Sequence, residues 1–283
     1  MQTFDTPEPI SVVIDIGAGQ IRIDASDRAD TVVYVVPSNE NDDADVECAE
    51  RARVEFANGE LVVKAPRSKS ISLFGSGGSV DVKVDLPTDS RVDATATADI
   101  QTRGRLGACK FSTSYGEINI DQTGDLRSQA SSGDITVSKS VGHTDLTTAN
   151  GRIRVHQIDG TAAIRTTNGA ITVGEVTGEA RLNTAHGDIT VERALAGLLA
   201  KTSSGSARIS QVERGSIVLE SAYGQIDVGI RSGIAAWLNL DTSYGHVHVP
   251  LELREPPEQT TQTVEVSART NYGDIVISRT QPA

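Results

Sequence analysis

The sequence predicts an all-β, single-stranded parallel β-helix, a β-solenoid of about nine coils of about 18 residues with a strand-rich N-terminal cap. Three observations carry that prediction. First, a glycine followed by an alternating apolar strand, as in Gly133-Asp134-Ile135-Thr136-Val137, recurs at Gly116, Gly133, Gly151, Gly169, Gly187, Gly205, Gly224, Gly245 and Gly273, in steps of 17, 18, 18, 18, 18, 19, 21 and 28 residues. Second, another glycine sits about halfway through each unit, for example at Gly124, Gly142, Gly160 and Gly178. Each unit is therefore two short strands joined by two tight turns. Third, positions two and four after the key glycine are Ile or Val in nearly every unit, and the position three before it is Thr or Ser in all but one. The residues between are mostly polar, the period of two expected of half-buried strands.

A meander of antiparallel strands shares that period but has no reason to repeat one short motif every 18 residues. Stacked coils do, because equivalent residues then form ladders about 4.8 Å apart, and nine coils would span roughly 40 Å. A buried Thr hydroxyl without a partner costs on the order of 1–3 kcal/mol. The Thr column is thus expected to bond within the stack, to a neighbouring hydroxyl or a turn carbonyl.

In chain order, residues 1–90 read as a cap continuous with the solenoid, with strands at Ile10–Ile16, Gln20–Ala25, Thr31–Val36, Ala52–Ala57, Leu61–Ala65 and Val80–Leu86. Val12, Ile14, Ile16, Gly19, Ile21 and Ile23 already keep the later register, so a first coil is expected there. Asn58-Gly59 marks a hairpin turn. Asn39–Glu50 reads as an acidic loop or short helix holding Cys48, and Arg67–Ser79 as a mobile Ser/Gly-rich loop. Residues 91–283 carry the repeats, with Cys109 on an alternating strand. The long steps place surface insertions at 229–236 and 250–262, the latter with Pro256-Pro257, and Arg279 and Pro282 are expected to blunt the last edge.

Aromatic residues make up only 4% of the chain, which fits a narrow aliphatic core better than a wide globular one. A formal net charge of −12 excludes generic binding to nucleic acid or anionic membranes. No apolar run is long enough to span a bilayer, and the first ten residues hold acids and prolines rather than a signal peptide. The expectation is a cytoplasmic bacterial chain without membrane insertion. Two lone cysteines make neither a disulfide framework nor a zinc site.

The Gly-[Asp/Asn/Glu]-Ile-x-Val units, with Phe4-Asp5-Thr6-Pro7-Glu8-Pro9-Ile10 ahead of them, resemble the bacterial putative-adhesin β-strand-repeat family of unknown function, of the actinobacterial type. The resemblance spans essentially the whole chain. It implies a right-handed parallel β-helix and carries over no catalytic residues.

Two sets of outward residues stand out. His246 and His248 lie two apart on one strand face. Simple stacking in chain order would put Asp227 beside His248 and Asp274 beside His246, a donor set suited to zinc. The same slots elsewhere hold Glu117, Arg152, Arg154 or Gln225, so the expectation is no metal and no cofactor, with these four as the candidates. Tyr223, Tyr244 and Tyr272 precede key glycines and would form an aromatic recognition strip. Glu117, Asp134, Asp188 and Asp274 follow key glycines, but the intervening coils carry Arg152, Ala170, Ser206, Gln225 and His246 at that position, so the acidic cluster that acid/base chemistry would require does not assemble. The predicted function is a non-enzymatic scaffold or protein-interaction module, with an unknown protein partner or self-association. The alternative is an adhesin-like carbohydrate- or surface-binding module using the tyrosine strip, and a glycan-active enzyme ranks last.

Overall fold

The computed structural model describes residues 1–66, 78–250 and 263–280. The Ser/Gly-rich loop apart from Gly78 and Ser79, the insertion beyond Pro250 with Pro256-Pro257, and Pro282 lie outside those residues. Among the described residues the chain is all-β apart from one short helix, and it divides into two compact units, Met1–Ser140 and Val141–Ala283, each a parallel β-solenoid.

The first unit runs β1 (Gln2–Asp5), β2 (Ser11–Ser26), β3 (Asp30–Pro37), α1 (Asp43–Glu50), β4 (Arg53–Ala57), β5 (Glu60–Lys64), β6 (Ser79–Pro87), β7 (Arg91–Arg103), β8 (Cys109–Tyr115), β9 (Ile118–Thr123), β10 (Leu126–Ser132) and β11 (Ile135–Val141). Strand β2 is long enough to turn a corner of the coil. Its two halves pair in parallel with β5 and β6 on one side and with β7 on the other. The first coil of the chain is therefore held between two later ones. Beyond β7 the order becomes regular, with β8 and β10 on one face and β9 and β11 on the other. The opposite edge is covered by antiparallel strands, β3 on β6, β4 on β5 and β1 on β3. Such covering blunts an edge that would otherwise recruit another strand. Asn58 and Gly59, at φ 53° and 76°, make the expected hairpin turn between β4 and β5.

Cys48 sits in α1 rather than in a loop, and both it and Cys109 are buried free thiols. The helix is capped by Asp42, whose Oδ1 accepts the Ala44 N–H at 2.9 Å. Asp45 pins it to β6, accepting the Ser79 N–H at 2.6 Å, the Ser79 hydroxyl at 3.0 Å and the Asn39 N–H at 3.0 Å. The Ser79 backbone bond leads in holding this carboxyl below its ordinary 3.8. A carboxyl depressed in the folded state stabilises above its unfolded value and loses that contribution as the pH falls through the folded one. Urea melts should therefore show Asp45→Asn clearly less stable than wild type at pH 7, with the gap closing as the pH falls below the ordinary carboxylate range.

Ser128 faces inward on β10 beside Phe111 on β8, and its hydroxyl is fully buried without a hydrogen-bond partner. Removing an unsatisfied buried hydroxyl relieves a desolvation cost. Ser128→Ala is expected to raise the unfolding free energy measured in urea melts, by about 1 kcal/mol at most.

The second unit holds β12 (Thr144–Asn150), β13 (Ile153–Asp159), β14 (Ala162–Asn168), β15 (Ile171–Val176), β16 (Ala180–His186), β17 (Ile189–Ala194), β18 (Leu198–Ser204), β19 (Ala207–Val212), β20 (Gly215–Tyr223), β21 (Ile226–Arg231), β22 (Ala235–Tyr244), β23 (Val247–His248), β24 (Thr263–Tyr272) and β25 (Ile275–Thr280). From β12 to β19 each strand pairs in parallel with the strand two places on. Inward Ile, Val and Leu side chains such as Ile171, Ile189 and Leu219 are fully buried.

The order then departs from the expected succession. Strands β24 and β25 pair with β20 and β21, while β22 and β23 pair with the far side of β24 and β25. The last coil in the sequence thus lies second from the end in space. The 21-residue step is absorbed by this skip and a turn at 232–234, because residues 229–231 belong to β21 and 235–236 to β22 rather than to a surface loop.

The Thr column traces the same order. Its hydroxyls bond turn carbonyls rather than one another, with Thr184 donating to Gly169 O, Thr202 to Gly187 O and Ser221 to Gly205 O at 2.9–3.0 Å. Thr270 then donates to Gly224 O at 3.0 Å and Thr242 to Gly273 O at 2.9 Å. Each of these column hydroxyls is satisfied by the coil beneath it.

Candidate functional site

Strands β20, β24 and β22 each end in a tyrosine just ahead of a key glycine, and the parallel register places Tyr223 opposite Tyr272 and Tyr272 opposite Tyr244. The rings stack face to face. Tyr223 and Tyr272 have centroids 5.0 Å apart at 3° between planes, and Tyr272 and Tyr244 are 4.8 Å apart at 6°. The strip is continuous only because β24 intervenes, so its order is 223, 272, 244 rather than the chain order.

This stacking decides what the strip offers. Sugars bind aromatic residues through ring faces, and here the middle ring has both faces covered. Tyr272 is 46% exposed against 58% for Tyr223 and 67% for Tyr244. The column presents ring edges and hydroxyls along its length, and among the described residues no ring stacks on the outer face of Tyr244 at its end. Above Tyr223 the column continues through Ser204 and His186 to Asn168, whose Nδ2 donates to Asn150 Oδ1 at 2.8 Å.

The four metal candidates do not come together. His246 does lie beside Asp274, with Nδ1 3.6 Å from Asp274 Oδ1, and that oxygen also accepts the His246 backbone N–H at 2.8 Å. Asp227 is not beside His248, because Val276 pairs with both and separates them by two strand spacings, roughly 10 Å. The Asp227 carboxylate is engaged instead by Arg208 at 3.0 and 3.1 Å and by the Gln225 amide at 2.6 Å. Among the described residues no group of three or more His, Cys, Asp or Glu side chains is placed to hold a metal ion.

The displaced titrations are structural and lie elsewhere. A hydrogen bond to Asp30 raises Arg28 and lowers Asp30 in return, and a hydrogen bond to Asp85 raises Lys83. Burial pushes both thiols up, Cys109 to about 11, which leaves them protonated and unreactive at neutral pH.

Two features escaped the sequence reading. One is an alternating charge ladder four residues before the key glycines. Lys201 Nζ lies 2.9 Å from Glu220 Oε2, Glu220 is level with Arg269, and Arg269 Nε lies 3.3 Å from Asp241 Oδ2. In chain order the column reads Lys, Glu, Asp, Arg, and only the spatial order alternates. The other is the outermost coil itself. Trp237, the single tryptophan, stands 70% exposed on β22, and Val247 on β23 is 43% exposed.

A family model described as Toastrack DUF4097 matches residues 11–281. No curated protein matches the sequence. Similar solved structures include a "putative adhesin" from Bacteroides fragilis NCTC 9343, with 12% identity, 98% of this chain and 95% of that one covered, and a TM-score of 0.39. A "putative lipid binding protein" from Parabacteroides distasonis ATCC 8503 has 14% identity, 99% and 95% coverage and a TM-score of 0.36. A "putative adhesin" from the same organism has 12% identity, 99% and 95% coverage and a TM-score of 0.34. With identities and TM-scores this low, none of them bears on function here.

Proposed function

The chain belongs to the Toastrack DUF4097 family, and from that premise we propose that it is a non-enzymatic scaffold whose outward side-chain columns engage another protein. The observation that carries this reading is the division of labour within each coil. The repeated Gly, Ile, Val and Thr positions are consumed by turns, core and internal hydrogen bonds, whereas the outward columns vary from coil to coil. Toward the end of the second unit those columns become an exposed tyrosine ladder flanked by alternating charge. Tyrosine is enriched where proteins meet. The two free, buried thiols suit a reducing compartment, and the reading places the chain in the cytoplasm. No helix among the described residues is long and apolar enough to cross a membrane.

Affinity capture from the native cell with the full chain, run beside Tyr223→Ala/Tyr244→Ala, tests the reading. A protein retained by the wild type and lost by the variant supports it. A strictly monomeric chain that retains no protein sinks it. The open face of Tyr244 keeps a second reading, a carbohydrate-binding module, which predicts glycan-array signal abolished by Tyr244→Ala alone.

A further inference from the structure

Four features at the outermost coil of the second unit each end where a further coil would continue them. The backbone of β22 pairs with β24 on one side, and among the described residues its other side has no partner strand. The inward column is half covered there. Leu238 and Leu240 are only half-buried, whereas their register mates Val266 and Ala268 are 0% and 1% exposed. The charge ladder Lys201, Glu220, Arg269, Asp241 stops on an anion. Tyr244 adds a ring face on which, among the described residues, no other ring stacks. Neither β22 nor β23 contains a Lys, Arg or Pro, the residues that commonly protect an exposed edge.

We propose that this edge accepts an extended strand from a partner protein, laid parallel to β22, with apolar residues over Leu238 and Leu240 and a Lys or Arg level with Asp241. The inference rests on the interaction-module reading and names the surface and the chemistry of the partner. Main-chain bonds along the ten residues of β22 supply affinity, and the alternating side chains supply specificity. Charge complementarity selects a foreign strand over a second copy. The same edge on another copy offers Asp241 and no cation, so pairing edge to edge leaves the ladder uncompleted.

The chain itself contains a segment of the required pattern, Val264-Glu265-Val266-Ser267-Ala268-Arg269-Thr270-Asn271-Tyr272, and a synthetic peptide of that sequence is a suitable probe for the full-length protein. Trp237 reports from the edge without labelling. The expected result is a blue shift of its emission on adding the peptide, with slowed hydrogen exchange at the β22 amides. A peptide with glutamate in place of the arginine should bind roughly tenfold more weakly, and Asp241→Lys, at an exposed position, should reverse that preference. The proposal is overturned if neither signal appears, or if binding ignores the charge changes. Protection of the β22 amides in the peptide-free monomer would mean that the chain closes its own edge, and protection that rises with protein concentration alongside a doubled mass would assign the edge to a second copy; either also overturns it. If the peptide fails while affinity capture still returns a partner, the edge assignment falls and the interaction-module reading stands.

Discussion

Gly187→Ala is expected to destabilise the second unit by on the order of 4 kcal/mol or more, enough to prevent its folding if its total stability is ordinary. Gly187 has φ +152°, and a Cβ built on it would lie 2.1 Å from Gly169 O and 2.5 Å from the carbonyl carbon. Both atoms are backbone, so no side chain can swing aside to make room. The same residue is tied on its other side, where its N–H donates to Ser204 O at 2.9 Å and its carbonyl accepts the Thr202 hydroxyl at 3.0 Å. Moving the turn would break both bonds. Gly59→Ala separates strain from collision, because Gly59 is also at positive φ, +76°, but a Cβ there meets nothing within 4 Å. That control should cost only about 1 kcal/mol. Urea melts followed by far-UV circular dichroism compare the two, and equal losses would mean that the collision between coils is not what matters.

The key glycines were legible because this collision repeats from coil to coil, at Gly133, Gly169, Gly205, Gly224 and Gly273 as at Gly187, and so were the buried Ile, Val and Thr columns. What could not be read was which coil lies on which. Every coil offers its neighbours the same inward column, so placing 263–280 before or after 235–248 buries much the same side chains. Residues that discriminate are far apart in sequence and point outward. With Glu220 beside Asp241 the chain order would oppose like charges, whereas the observed order interposes Arg269. Exposed pairs are worth little individually, so such a preference leaves almost no trace in the repeat. The metal candidates failed for the same reason, since Asp227 and His248 are neighbours only in chain order.

The coil formed by β5 with β6 and the one formed by β7 were hidden for a different reason. Strand β7 runs through its corner at Thr97 and Ala98 without a glycine, whereas β2 carries Gly19 there, at φ 129°, and its register could be read as a first coil. Counting the repeated glycines therefore finds nine coils and misses these two.

Phe111→Ala is expected to cost the first unit about 4 kcal/mol, near the upper end for a buried aromatic. Phe111 is 0% exposed on β8, and its register mates are Ala94 on β7 and Ser128 on β10. Where neighbouring coils carry Leu146, Ile164 and Leu182, this part of the column is built as one ring between two small side chains. The ring fills space that neither neighbour can reach. Truncation should therefore leave a cavity that does not collapse, and the residual void sets the penalty. Filling it from the side gives a sharper test than the single loss. Ser128→Leu alone should overpack the site and destabilise, whereas combined with Phe111→Ala it should recover about half of the lost stability, a coupling that only neighbours in one packed column show. Additive losses in the double variant would mean that Phe111 and Ser128 do not share that space, and the stacking of β8 against β10 would need another explanation.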